Sequence, residues 1–144
     1  MYQFINDSMY NIDVDYIWLD STEPTTLPNI NNTLNDTDIG SIVSGNYYLN
    51  AYSLLDTKWM YDLYVNDAYQ QNKRYFTLTR SQFAGQHVYG TTIWSGDINS
   101  NWDQFRRQIS AGINYMLSGN PYWTNDIGGF WRNGAEQYND SAYR

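Results

Sequence analysis

The sequence predicts an α/β fold, part of a TIM (β/α)₈ barrel with about four parallel strands and intervening helices. Short runs rich in β-branched and aromatic residues alternate with helical patterns, as parallel sheets require. Four of these runs finish on polar or charged residues, namely Asp20, Arg80, Asp97 and Asp126. Barrel enzymes place their active sites at the C-terminal ends of their strands. A doubly wound sheet shares this feature, but it is disfavoured because the sequence has no Gly-rich phosphate loop. Because a closed barrel needs about 250 residues, the 144 residues here predict only a piece of one.

The first half of the chain contains two predicted helices and two predicted strands. Residues Tyr2 to Ile12 carry apolar side chains at nearly helical spacing, and Asp13 to Leu19 is typical of a strand. The polar stretch 25–45 predicts a long loop. Helical spacing returns from Asn46 to about Asn72, with an apolar stripe made of Tyr48, Tyr52, Leu55, Trp59 and Leu63. Tyr75 to Thr79 predicts the second strand.

A third strand and a third helix follow. The strand is predicted at Gly90 to Trp94, although the connection Ser81 to Tyr89 is short for a crossover between parallel strands. Ser100 or Asn101 can cap the next helix. Its apolar residues recur at helical spacing, namely Trp102, Phe105, Ile109, Ile113 and Met116.

The last part of the chain predicts one more strand and a tail. Gly119 and Pro121 are the stop signals expected after a helix. Tyr122 to Asn125 then predicts a short fourth strand, and the polar residues 131–144 predict a flexible tail. The chain as a whole, residues 1–144, is predicted to be a single partial catalytic domain.

Charge and composition exclude several classes of function. The net charge of −7 repels phosphate groups, so neither nucleic acid nor an anionic membrane is expected as a partner. With no Cys and one His, no cofactor or metal is expected. The sequence has no apolar run of about 18 residues, so no membrane-spanning helix is predicted. No signal peptide is recognised, so the compartment stays open between cytoplasmic, periplasmic and secreted.

The candidate catalytic residues are acidic residues, and the sequence motifs around them single them out. Hydrolysis of a glycosidic bond needs two carboxyl groups, and most of the fifteen acidic residues here would be solvated or hold turns. Four segments resemble signatures of glycoside hydrolase family 31 in the order the family has them: WLDSTEP at 18–24, TRSQFAGQ at 79–86, WSGD at 94–97 with Trp102 downstream, and SGNPYWTNDIGGF at 118–130. The chain is identified as a member of that family over about residues 13–130, in the middle to late strands of the barrel.

This resemblance implies a retaining α-glycosidase that works by double displacement. Asp20 would attack the anomeric carbon and form a covalent glycosyl-enzyme. Asp97 would protonate the leaving oxygen and then deprotonate the water that releases the sugar. The implied partner is an α-linked oligosaccharide substrate.

Six other residues receive roles from the same resemblance. Trp18, Arg80, Trp94 and Phe130 would bind the substrate, although each aromatic ring could equally belong to a core and Arg80 could form an ordinary ion pair. Glu23 would support the loop that carries the nucleophile. Asp126 would also have a supporting role rather than a catalytic one.

The sequence after the nucleophile favours one substrate. DSTEP at 20–24 and WTND at 123–126 resemble the α-xylosidase branch of the family, whereas many α-glucosidases of the family carry Met-Asn-Glu after the nucleophile. An α-xylosidase is therefore the prediction, and an α-glucosidase is the alternative. Exclusion of a hydroxymethyl group from a pocket is worth about 1–3 kcal/mol.

The resemblance also implies parts that this chain does not contain. These are the remaining barrel strands, with a substrate-binding Asp and a His, and flanking β-sandwich domains. The isolated chain is therefore predicted to have little or no activity. Two other classes stay open: a non-catalytic carbohydrate-binding fragment, although such modules are usually all-β, and a pseudo-enzyme or degraded gene fragment.

Overall fold

A computed structural model describes residues 7–8, 14–23, 49–66 and 73–131. The chain divides into two compact units, Met1–Thr91 and Thr92–Arg144. Three predicted segments lie almost entirely outside the described residues: the helix at 2–12, the loop at 25–45 and the tail at 131–144.

The first unit contains two parallel strands and one long helix. Strand β1 (Ile17–Leu19) pairs in parallel with β2 (Thr77–Thr79), so that Trp18 is opposite Leu78. Helix α1 (Tyr52–Asn66) follows a short 3₁₀ helix at Leu49–Ala51, and a second 3₁₀ helix at Gln86–Tyr89 follows β2. These elements confirm the predicted strand–helix–strand order of this part of the chain.

The buried face of α1 differs from the predicted stripe. Two residues of the predicted apolar stripe, Tyr52 and Trp59, are 40% and 53% exposed. The buried positions of the helix are instead Ser53, Thr57, Met60 and Tyr64. Met60 and Tyr64 form a small apolar core with Ile17, while the other two positions are polar. Apolar spacing failed as a guide because half of the buried face is held by hydrogen bonds.

The second unit contains the other parallel strand pair and the second long helix. Strand β3 (Thr91–Trp94), which begins at the last residue of the first unit, pairs in parallel with β4 (Trp123–Thr124). Helix α2 (Trp102–Leu117) lies between them in sequence. The side chain of Asn101 accepts a hydrogen bond from the backbone N–H of Gln104 at 2.8 Å, which confirms the predicted N-cap.

Helix α2 packs against β4 through its smallest residue. Gly112 is buried against the indole of Trp123, and a Cβ at this position would lie 2.7 Å from the indole nitrogen. The ring of Tyr115 also contacts that indole, with centroids 5.2 Å apart. Most of the apolar positions at helical spacing are exposed within the described residues, namely Trp102, Ile109, Ile113 and Met116. Close approach of a Trp to a glycine, rather than apolar periodicity, decides which face of α2 is covered.

The pair of glycines before Phe130 gives a first testable prediction. Gly128 and Gly129 have φ of +93° and +77°, and a Cβ on Gly129 would lie 2.6 Å from the Cα of Ser100, whereas one on Gly128 meets nothing within 4 Å. Gly128→Ala should cost only the left-handed strain, about 1–2 kcal/mol of unfolding free energy. Gly129→Ala should cost about 1–3 kcal/mol more, because backbone must move. Urea denaturation of both variants measures this, and equal losses would contradict it.

Candidate active site

Asp20 begins the loop that follows β1. Its Oδ1 accepts a hydrogen bond from the backbone N–H of Ser21 at 2.8 Å and lies 3.2 Å from Nη1 of Arg80. About half of the Asp20 side chain is exposed, whereas Arg80 is mostly buried. The carboxylate is therefore held on one side by a backbone donor and a guanidinium while it stays accessible to a ligand.

The backbone next to Asp20 is strained. Ser21 has φ of +52°, and within the described ranges it is the only residue other than glycine with a positive φ. A left-handed conformation costs a residue with a Cβ about 1–2 kcal/mol. Such strain persists where the surroundings hold it, and here the Ser21 hydroxyl accepts a hydrogen bond from Nη2 of Arg80 at 3.1 Å. The turn that presents Asp20 is thus fixed by the same arginine that contacts the carboxylate.

Arg80 joins the loops after β1 and β2. Its Nε lies 3.0 Å from both carboxylate oxygens of Glu23, and its Nη2 lies 2.9 Å from Oε2. One guanidinium therefore contacts Asp20, Ser21 and Glu23. A planar, permanently charged group with five N–H donors is suited to hold two carboxylates at once. The structure brings together three of the predicted site residues, Asp20, Arg80 and Glu23.

Trp18 is the remaining predicted site residue in this unit. It lies on β1 two residues before Asp20, and its side chain is 59% exposed. Alternation along the strand explains this, because the neighbouring Ile17 points to the core while Trp18 points to the opposite face. An exposed indole has an apolar face that can stack on a sugar, so a substrate contact stays a prediction.

The second unit carries the other predicted site residues. Trp94 ends β3 and is 5% exposed, so its ring packs in the interior. Asp97 follows three residues later, after Gly96, and is exposed. Phe130 is 52% exposed and meets the ring of Trp131 edge to face, with centroids 5.0 Å apart. Asp126 lies just after β4, where its carbonyl accepts a hydrogen bond from Gly129 N–H at 2.9 Å, which makes Asp126 to Gly129 a tight turn.

Asp126 has a carboxyl group whose pKa is shifted from its ordinary value. Partial burial, together with the negative charge of Asp97, raises the pKa of Asp126 above the ordinary value of 3.8. Both causes penalise the charged form.

The raised pKa of Asp126 predicts how stability depends on pH. Between pH 3.8 and the higher pKa of the folded state, the folded chain binds more protons, so unfolding free energy falls as pH rises through this window. The side chain of Asp126→Asn cannot ionise, so this variant should be more stable than the parent protein at neutral pH. The two should converge below the unfolded pKa. Thermal melts across this range test the prediction, and a stabilisation that grows toward acid pH would contradict it.

Three polar residues of the first unit were not singled out from the sequence as site residues. Thr22, Ser81 and Gln86 lie in or between the loops that carry Asp20 and Arg80, and they hydrogen-bond to one another or to those loops. Hydropathy gives no signal for them. The pair Ser53 and Thr57, four residues apart on one helix face, is the feature that could have indicated a buried polar contact.

The described residues contain neither a cluster of possible metal ligands nor a membrane-spanning helix. In the part of the chain that the structure describes, no group of three or more His, Cys, Asp or Glu residues could hold a metal ion. Among the same residues, no helix is long and apolar enough to cross a membrane.

Comparison with known proteins identifies the family. Residues 1–142 match the glycosyl hydrolases family 31 TIM-barrel domain. The chain belongs to glycoside hydrolase family 31. The predicted resemblance and the predicted fold, part of a TIM barrel with parallel strands, are confirmed. That residues 1–144 form a single domain stays a prediction.

Several α-xylosidases of family 31 are similar to the chain. The α-xylosidase of Saccharolobus solfataricus is 42% identical over 129 residues, which are 88% of this chain and 17% of that protein. The crystal structure of a family 31 α-xylosidase from Xanthomonas citri matches with a TM-score of 0.80 and 35% identity, covering 99% of this chain and 15% of the other. A soil-metagenome α-xylosidase complexed with xylose matches with a TM-score of 0.67 and 29% identity, covering 90% and 18%. The chain thus spans less than a fifth of each of these relatives.

Proposed function

We propose that this chain is the catalytic segment of a retaining α-glycosidase, and that it works within a complete barrel supplied by the rest of a longer enzyme. The polypeptide that carries this chain together with the rest of the barrel is called the full-length enzyme below. The observation that carries the proposal is the contact of one guanidinium, Arg80, with Asp20 and Glu23 at the ends of two parallel strands. Barrel enzymes build their active sites at these strand ends.

Asp20 is the proposed nucleophile. Its carboxylate attacks the anomeric carbon of an α-linked sugar, the bond to the leaving oxygen breaks, and a covalent β-glycosyl-enzyme forms. The contacts with Ser21 N–H and Arg80 fix the orientation of the carboxylate before substrate arrives, which reduces the entropy cost of attack. Arg80 has a further proposed role in contacting substrate hydroxyls, since its guanidinium lies beside the reacting carboxylate.

Asp97 is the proposed acid/base. It gives a proton to the leaving oxygen in the first step and takes one from the attacking water in the second. A retaining mechanism requires about 5–5.5 Å between the two carboxyl groups in the working enzyme. Asp126, whose pKa the negative charge of Asp97 helps to raise, is proposed as a supporting residue.

An α-xyloside is the proposed substrate. The similar proteins from Saccharolobus solfataricus and Xanthomonas citri are named α-xylosidases, and the metagenomic relative is complexed with xylose. The exposed rings of Trp18 and Phe130 are proposed to stack on the sugar, and Trp94 is proposed to line the same subsite. The alternatives are an α-glucosidase of the same family and a carbohydrate-binding fragment without activity.

Product analysis of the full-length enzyme tests the proposal. We expect hydrolysis of 4-nitrophenyl α-xyloside, with kcat/KM about 10–200-fold above that for the α-glucoside, which is the discrimination available to one extra hydroxymethyl group. Proton NMR at early times should show α-xylose as the first product, because two displacements retain configuration. β-Xylose as the first product would contradict the mechanism, and a preference for glucoside would select the α-glucosidase.

The 144-residue chain alone is the matched control for this experiment. We expect it to release no detectable 4-nitrophenol at protein concentrations where the full-length enzyme is readily measured. Robust turnover by the chain alone would contradict the proposal that the rest of the barrel is required.

A further inference from the structure

Gln86 is a fully buried amide in the first unit, with 0% of its side chain exposed. It begins the 3₁₀ helix that follows β2. Its Oε1 accepts hydrogen bonds from the Ser53 hydroxyl at 2.9 Å and from the Phe83 N–H at 3.1 Å. Its Nε2 donates at 2.9 Å to Thr57 and, over longer distances of 3.4 Å and 3.3 Å, to the Thr79 hydroxyl and the Ser81 carbonyl. An amide with both ends satisfied avoids the cost of burying unpaired polar groups, so this arrangement is held in one geometry.

Gln86 contacts the residues on both sides of Arg80 in the chain. Thr79 and Ser81 are its two neighbours in the chain, and Nε2 of Gln86 contacts both. The Thr79 hydroxyl also donates to the Ser81 carbonyl at 3.0 Å, which closes the backbone around Arg80. Helix α1 anchors the other end through Ser53 and Thr57.

The loop that carries Asp20 is joined to the same network. Ser81 N–H donates to the Thr22 hydroxyl at 3.0 Å, and the hydroxyls of the two residues are 2.8 Å apart. Thr22 is buried and lies between Ser21 and Glu23, both of which contact Arg80. A continuous path of hydrogen bonds therefore runs from α1 through Gln86 and Ser81 to the nucleophile loop.

We propose that Gln86 is a positioning residue, which sets the placement of the Arg80 guanidinium against Asp20 by fixing the backbone on both sides of Arg80. The effect of Gln86 on Arg80 passes through its hydrogen bonds with Thr79 and Ser81. This inference rests on the proposed function, because the placement of Arg80 affects a rate only if Asp20 is the nucleophile.

Gln86→Met tests the proposal in the full-length enzyme. Methionine keeps the length and much of the volume of the side chain but removes every hydrogen bond of the amide. We expect kcat to fall about tenfold or more, since misplacement of a catalytic group by an ångström can cost up to about 10²-fold. The matched control is Thr77→Val, which removes an equally buried hydrogen bond, from the Thr77 hydroxyl to the Ile17 carbonyl at 2.6 Å, outside the loops that carry Asp20 and Arg80. It should change kcat by less than about twofold even where its loss of Tm is similar.

A double-mutant cycle with Arg80→Lys separates positioning from general support of the fold. Lysine keeps the charge but cannot reproduce the planar fork. If Gln86 acts through Arg80, then Gln86→Met in the Arg80→Lys background should lower kcat by less than about twofold. The proposal would be overturned if the double variant lost kcat by the product of the two single losses. It would also be overturned if Gln86→Met lowered Tm and left kcat unchanged. Failure of the proposed function is distinguishable, because it would appear as activity that survives Asp20→Asn in the otherwise unchanged enzyme.

Discussion

Replacing Asp20 by Gly is expected to lower kcat of the full-length enzyme on α-xylosides by about 10⁴-fold or more, the order of loss found when a covalent nucleophile is removed. No other carboxylate in the described part of the first unit shares its position, since Glu23 is engaged by Nε and Nη2 of Arg80. Steady-state kinetics with 4-nitrophenyl α-xyloside measures the loss. Retention of more than a few per cent of activity would contradict the assignment.

Azide makes the same variant a test of stereochemistry. Glycine leaves a space where the carboxylate stood, and azide in that space can attack the anomeric carbon from the same side. With α-xylosyl fluoride, azide displaces fluoride in one step, so the product should be β-xylosyl azide. A single displacement inverts configuration, whereas contaminating parent enzyme would release α-xylose and no β-azide. Recovery of α-xylosyl azide from this variant would mean that Asp20 is not the nucleophile.

Asp15→Asn is the matched control for Asp20. Asp15 precedes β1, is largely exposed, and forms an ion pair with Lys73 at 3.1 Å. Exposed ion pairs contribute about 0–1 kcal/mol, so this variant should keep kcat within about twofold of the parent. The fold should also survive Asp20→Gly, because Arg80 keeps its contact with Glu23 and is not left buried without a carboxylate. Similar melting temperatures for the two variants would confirm that the loss of rate is chemical.

Local signals in the sequence were sufficient to predict the elements that carry the site. The strand positions follow from β-branched and aromatic runs at 17–19, 77–79 and 91–94, and the parallel pairing of β1 with β2 was expected from the helix between them. The N-cap at Asn101 was equally local, because a single side chain and one N–H define it. Strand positions and the helix cap depend on neighbours in sequence, so sequence patterns describe them well.

The faces that α1 and α2 bury could not be predicted in this way. Each helix packs through residues that apolar periodicity ignores: Ser53 and Thr57 through the amide of Gln86, and Gly112 through the ring of Trp123. These contacts join residues far apart in the chain, so their partners are known only once the fold is. For the same reason the motifs named Asp20, Arg80 and Glu23, but only the structure revealed that the guanidinium of Arg80 contacts both carboxylates.

Asp97→Ala is expected to give losses that depend on the leaving group. General acid catalysis contributes about 10²–10⁴-fold, so kcat/KM for an α-linked disaccharide should fall by that factor. For α-xylosyl fluoride, whose leaving group needs no proton, the first displacement should be nearly unchanged, and the glycosyl-enzyme on Asp20 should accumulate because no base activates water. The control is Asp103→Asn, an exposed carboxylate of the second unit that pairs with Arg106 at 3.1 Å, which should leave both substrates unaffected. Equal losses of kcat/KM for the disaccharide and for α-xylosyl fluoride would contradict the role of Asp97 as acid/base.

Azide should distinguish Asp97 from Asp20 by the configuration of the product. In Asp97→Ala, Asp20 still forms the β-glycosyl-enzyme, and azide then attacks that intermediate from the opposite side without needing a base. The C–O bond to Asp20 breaks, and α-xylosyl azide is released. The two variants should therefore convert the same fluoride and the same azide into opposite anomers, α from Asp97→Ala and β from Asp20→Gly. Only a double displacement with Asp20 as nucleophile and Asp97 as acid/base predicts that pair of results, whereas a β-azide from both variants would require the two roles to be reassigned.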